Sequence, residues 1–241
     1  AYTFSITVSI LISVIGWFST PVLLHLLKTP ADVIPDSILY LRIYFLGMIF
    51  TLTYNMGSSI MRAIGDSRRP LIYLVICCVI NIILDILFVI VFHMGIAGAA
   101  IATVISQGVS AILVTRSLMK SYGILKLELR AIRFHGALLK SELKIGLPGG
   151  IQSFGYSISN IIIQAVINNF GTDTAAAWAA YGKLDAIFWT VCGSFGIAIT
   201  TFSGQNFGAR KFDRVKKSVR VCLAMALTVC GSLIVFLMIF C

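Results

Sequence analysis

Apolar runs of about 20 residues or more, the length a helix needs to cross the hydrocarbon of a bilayer, recur seven times along this chain. They cover approximately Thr3 to Leu27, Ser37 to Ile64, Pro70 to His93, Gly95 to Met119, Leu143 to Phe170, Thr174 to Ser203 and Val215 to Cys241. The runs are unbroken rather than alternating, which argues against the strands of a membrane barrel. A helix satisfies its own backbone in lipid, so the expected fold is an all-α integral membrane protein with seven transmembrane helices. Composition agrees: 59% of residues are hydrophobic, 12% are charged and the mean hydropathy is +0.98, far from the usage of a soluble domain.

The basic residues are concentrated in a few short loops, every second one along the chain. Arg62, Arg68 and Arg69 follow the second run, and Arg116, Lys120, Lys126, Arg130, Arg133, Lys140 and Lys144 surround the connection from the fourth to the fifth. Arg210, Lys211, Arg214, Lys216, Lys217 and Arg220 surround the connection from the sixth to the seventh, while the other loops hold little beyond Lys28. By the positive-inside rule these loops face the cytoplasm, so the first helix starts inside a multi-pass protein of the cell membrane. The formal net charge of +10 therefore reports orientation, and no nucleic-acid partner is expected. The six cysteines have neither metal-ligand spacing nor a disulfide framework and read as small packing residues. The chain opens on Ala1 and stops on Cys241 inside an apolar run, which suggests a part of a longer polypeptide.

The connection around 122–141 is the one candidate boundary, dividing four helices in 1–121 from three in 142–241. Within it Leu125, Leu127, Leu129 and Ile132 lie among basic residues. Two readings stay open, an amphipathic segment lying on an anionic inner leaflet and a solvated linker.

Polar residues inside the runs are the functional candidates, because a carboxylate in the membrane must face protein or water rather than lipid. Asn81 and Asp85 are four apart and share one face of the third helix. The next helix returns through a tight turn near Met94. Counted outward from that turn, Asp85 is level with Thr103 and Asn81 with Gln107, at depths of about 13 and 20 Å if every residue rises 1.5 Å. Carboxylate, amide and hydroxyl oxygens are what a sodium ion needs when it sheds water, and a buried carboxylate can alternatively take up a proton. The plainer reading is that these groups only join the two helices by hydrogen bonds. Gly95, Gly98, Ala99, Ala100 and Ala102 would allow close helix approach in either case.

The fifth run follows Gly146-Leu147-Pro148-Gly149-Gly150, a helix-start or kink signal. Beyond it Gln152, Tyr156, Ser159, Asn160 and Gln164 form a stripe at spacings of three and four, suited to a cavity or another helix. In the sixth run Lys183 and Asp185 diverge by two helix positions, so one or both are expected to point into water or pair with neighbouring helices. Arg42 reads as an anchor snorkelling to the interface.

At this level the chain resembles the multidrug and toxic compound extrusion (MATE) family. The resemblance rests on Tyr40-Leu-Arg-Ile-Tyr44, Arg62-Ala-Ile-Gly-Asp66 with Pro70, Asn81-Ile-Ile-Leu-Asp85, Met94-Gly-Ile-Ala-Gly-Ala-Ala-Ile-Ala-Thr103, Gly146-Leu-Pro148 and Gly204-Gln-Asn-Phe-Gly-Ala209, in that order. It implies a twelve-helix, two-lobe transporter of which this chain holds the third to ninth helices, with the linker joining the lobes. It also implies a site for sodium or protons made by Asn81, Asp85, Thr103 and an acidic residue of a helix outside this chain. Some family members use a Glu after the Gly-Leu-Pro signal; Tyr156 stands there, which puts a carboxylate site in the fifth helix in doubt.

The function so implied is antiport: export of amphiphilic, often cationic compounds, driven by inward sodium or proton movement, with no further cofactor. Gln107, Gln152, Tyr156, Asn160, Lys183 and Asp185 are candidates for the substrate cavity, and the expected partners are small amphiphiles, membrane lipid and the remainder of the polypeptide. A flippase for lipid-linked sugars would share the fold but needs a cationic cavity, which Arg42 and Lys183 supply poorly. A seven-helix receptor would start outside rather than inside. No HExxH, GxSxG or paired catalytic carboxylates appear, so no enzyme is expected.

Overall fold

The computed structural model describes residues 2–26, 33–120, 136–168 and 170–240. Regular structure among them is entirely helical: α1 (Tyr2–Leu26), α2 (Ile34–Ala63), α3 (Arg68–Asp85) continued by a π-helical segment (Ile86–Val91), α4 (Gly95–Met119), α5 (Gly136–Asn168), α6 (Thr172–Gly208) and α7 (Phe212–Phe240). The seven-helix membrane architecture expected from the apolar runs is the observed one. Six of the helices are long and apolar enough to span a bilayer; α5 falls short of that hydropathy, because its polar stripe dilutes its apolar residues. The chain divides into two compact units, Ala1–Lys140 and Ser141–Cys241.

In the first unit α2 packs between α1 and α4, and α3 packs on α4. Close approach depends on missing side chains, as expected where lipid provides no hydrophobic drive between helices. A Cβ on Gly57 would lie 2.9 Å from Val114 Cγ1, and one on Gly47 would lie 2.6 Å from Val104 Cγ2. On α4 the small residues Gly98, Ala100, Ala102, Ser106, Gly108 and Ser110 are buried, whereas Gly95 is exposed in the turn. Side chains stitch the helices where backbones meet: Ser5 Oγ donates to Leu52 O at 3.1 Å, Ser13 Oγ to Phe45 O at 2.6 Å, and Tyr54 Oη to Pro70 O at 2.9 Å. One end of the unit is closed by a cluster of Tyr2, Met61, Val114 and Leu118, with Tyr2 Oη 2.9 Å from Thr115 Oγ1.

The turn from α2 to α3 is built by its sequence. Gly65 takes φ 89°, and the amides of Gly65 and Asp66 donate to Arg62 O and Met61 O at 2.8 and 3.0 Å, closing the helix end. Asp66 then caps α3, accepting from Arg69 N at 3.2 Å and pairing with its guanidinium at 3.3 Å. The turn from α3 to α4 uses positive φ at His93 (52°) and Gly95 (56°).

α5 starts at Gly136 and runs without a break through Gly146–Gly150, with Pro148 inside it. The Gly-Leu-Pro signal is therefore not a helix start; Pro148 removes one backbone bond from a helix already under way. The last residues of the expected linker 122–141, from Gly136 on, are helical. The segment with Leu125, Leu127, Leu129 and Ile132 lies outside the described residues. α6 continues to Gly208, absorbing most of the Gly204–Ala209 stretch, and packs on α7. The turn between them repeats the α2 closure with a different residue: Arg210 adopts φ 56°, and the amides of Arg210 and Lys211 donate to Phe207 O and Asn206 O at 2.9 and 2.8 Å. Phe207 and Phe212 meet edge to face across it at 5.5 Å. Cys192 and Cys230 lie 3.7 Å apart as free thiols between α6 and α7.

Candidate functional site

α3 carries Asn81 and Asp85 one turn apart on the face predicted for them, and both side chains are half-buried. Asn81 Nδ2 and Asp85 Oδ1 are fully buried, and neither has a hydrogen-bond partner. Such atoms are rare in folded proteins, because each one left unpaired costs about 1–3 kcal/mol. The amide of Asn81 can turn to offer its oxygen instead of its nitrogen. One face of α3 then carries an amide oxygen and a carboxylate oxygen, the kinds of donor that a hard cation takes, and the carboxylate can alternatively take a proton.

Asp85 is the last residue of the α-helical part of α3, and the π-helical segment begins at Ile86. There Phe92 N–H donates to Leu87 O, five residues back, at 2.9 Å, and Met94 N–H to Phe88 O at 2.9 Å. π-helical turns inside α-helices occur mostly as single turns, frequently at functional sites. This one has a packing partner: a Cβ on Gly98 of α4 would lie 2.9 Å from Phe88 Cβ and 3.1 Å from its carbonyl carbon. The wider turn also ends the uniform rise of 1.5 Å per residue between Asp85 and Met94, so counting no longer assigns matched depths across the hairpin.

Thr103 lies on α4, the helix against which α3 packs. Its Oγ1 donates to Ala99 O at 2.9 Å, which leaves the hydroxyl lone pairs free to accept or to coordinate. Gln107 is engaged elsewhere: its Oε1 accepts from Thr51 Oγ1 of α2, not from Asn81. Thr51 thus fixes the amide on the second level, a partner that no spacing along α3 and α4 reveals. Among the described residues no three His, Cys, Asp or Glu side chains group closely enough to hold a metal ion, and Asp85 is the one carboxylate beside Asn81 on this face of α3.

Arg42, expected as a snorkelling anchor, has a ring partner in the first unit. Its guanidinium sits 5.1 Å over the ring of Trp17 on α1, with Nε buried and without a hydrogen bond. The indole face supplies the attraction that water would have supplied at the interface.

In the second unit Tyr156 of α5, from the expected polar stripe, meets Trp189 of α6 edge to face at 5.9 Å. Gln152, Asn160 and Lys183 are exposed and Asp185 is half-buried. No ion pair joins Lys183 to Asp185 among the described residues, in keeping with their divergence around α6.

Comparison with known proteins adds a family. The MatE family model matches residues 1–87 and 148–241. The chain is 35% identical over 206 residues to the probable multidrug resistance protein YpnP of Bacillus subtilis, covering 83% of this chain and 44% of that protein. It is 31% identical over 245 residues to the probable multidrug resistance protein YoeA of the same organism, covering 99% of this chain and 53% of that one. It thus spans about half the length of these relatives. Its fold matches a MATE crystal structure in the bent conformation with a TM-score of 0.89, at 20% identity, over 99% of this chain and 54% of that one.

Proposed function

The chain belongs to the MatE family, and from that premise we propose that it is part of a secondary antiporter that exports amphiphilic, often cationic compounds against inward movement of sodium or protons. The units Ala1–Lys140 and Ser141–Cys241 contribute to its two lobes, with the basic loops in the cytoplasm. The observation that carries the reading is the pair of buried, unpartnered atoms on Asn81 and Asp85 beside a π-helical turn. Asn81, Asp85 and Thr103 hold the coupling cation or proton, completed by an acidic group from elsewhere in the full-length protein. Gln107, Gln152, Tyr156, Asn160, Lys183 and Asp185 belong to the substrate path.

Coupling follows from differential affinity. A cation at Asp85 stabilises whichever arrangement of the α3–α4 hairpin pairs these orphaned atoms, and it shifts the transport cycle only by the difference between its affinities for the two states. The π-helical segment supplies a place where α3 can change its turn without breaking. To test this, the full-length protein is reconstituted in liposomes and dye efflux is driven by a sodium or a pH gradient. Asp85→Asn abolishes gradient-driven efflux; unimpaired efflux would remove Asp85 from the mechanism.

A further inference from the structure

The second unit holds a groove that the coupling reading does not use. It runs between α6 and α7 with a volume of about 430 Å³. Phe195, Ile199 and Phe202 line it from α6, and Met225 lines it from the depth of α7. At the end beside the α6–α7 turn the lining changes to Arg214 and Lys217. These two are three apart and so share a face of α7, and Met225 lies eleven residues beyond Arg214 on the same side, about 16 Å along the helix. The groove is therefore apolar along its length and cationic at one mouth.

Nothing within the described residues neutralises that mouth. Asp213, the acidic residue of the first turn of α7, forms no ion pair with Arg214, and Ser218, whose hydroxyl donates to Val215 O at 2.8 Å, carries no charge. The mouth lies in the basic loop that the charge pattern sets at a membrane surface, next to the positive end of the α7 dipole. We infer that the α6–α7 groove binds an anionic phospholipid from the leaflet that this loop faces. The phosphate sits between Arg214 and Lys217, and one acyl chain lies along Phe202, Ile199 and Phe195 down to Met225. Charge complementarity selects the anionic headgroup, since an acyl chain alone would leave the two cations at the mouth without a partner. An apolar slot between helices without those cations would take any lipid.

The test uses the full-length protein in liposomes of phosphatidylcholine containing phosphatidylglycerol with a photoreactive group on its acyl chain. Labelling is expected on the peptides that carry Phe202 and Met225. The double variant R214Q/K217Q should lower it about ten- to thirtyfold, the effect of two basic residues near an anionic headgroup. Ala198 also lines the groove, and Ala198→Phe, which fills the slot and leaves the charges in place, should lower it as well while gradient-driven efflux persists. Equal labelling by a phosphatidylcholine probe would make the groove a general acyl slot and overturn the proposal. Absence of labelling in the unaltered protein would show the groove covered by another segment and overturn it too.

Discussion

Asp85 stands one helical turn from Asn81 on α3, and the two do not satisfy each other: Oδ1 of one and Nδ2 of the other are buried with no hydrogen-bond partner. An acceptor and a donor four residues apart could pair locally at little cost. That they stay apart leaves a polar spot inside an apolar helix, directly before the backbone widens into a π-helical segment.

Asn81→Leu separates a ligand from a structural link. The replacement has similar volume and removes a buried amide whose nitrogen has no partner, so stability should hold or rise by up to about 1 kcal/mol. Gradient-driven transport should nevertheless fall severely. Thermal unfolding in detergent and dye efflux measured on the same preparation check the two halves; a destabilised protein with intact transport would make the residue structural.

Gly57→Ala should destabilise the α2–α4 contact by about 1–3 kcal/mol, the usual cost of overpacking. The added Cβ meets Val114 Cγ1 at 2.9 Å, and Val114 is fully buried, so the contact cannot relax outward. Combining it with Val114→Ala should recover part of the loss. Thermal melts of the two single variants and the double form a cycle that reads the coupling directly.

Arg210→Gly should stabilise the protein by about 0.5–1 kcal/mol, because an L-residue in left-handed backbone costs more than the flexibility glycine adds to the unfolded chain. Arg210 holds φ 56° in the same helix-closing role that Gly65 fills after α2. A raised unfolding temperature, with Arg210→Val lowering it, is the expected outcome.

Much of this fold was legible because lipid leaves the chain few options: apolar runs became helices, and Gly98, Ala100 and Ala102 of α4 became part of its buried face, though Gly95 did not. The Asn81 and Asp85 face was legible for the same reason, since a periodicity of 3.6 places them together whatever surrounds them. The π-helical segment was not, because Ile86–Val91 is as apolar as the α-helix before it and carries no residue that marks a change of turn. Gly146–Gly150 misled in the opposite direction: breakers that would end a helix in water are carried through α5, as membrane helices often tolerate. Partners from a third helix were also out of reach, and so Thr51 was missed for Gln107 and Trp17 for Arg42.

The central claim is that one site at Asp85 links cation and drug. Linkage makes this measurable without transport, since a cation that alters drug affinity by some factor must have its own affinity altered by the same factor. Drug dissociation constants for the full-length protein, measured with and without sodium and on either side of neutral pH, should therefore shift by about 5- to 150-fold with the coupling cation. In Asp85→Asn the constants should coincide under all conditions. A variant that keeps the full shift would place the coupling site elsewhere and contradict the account.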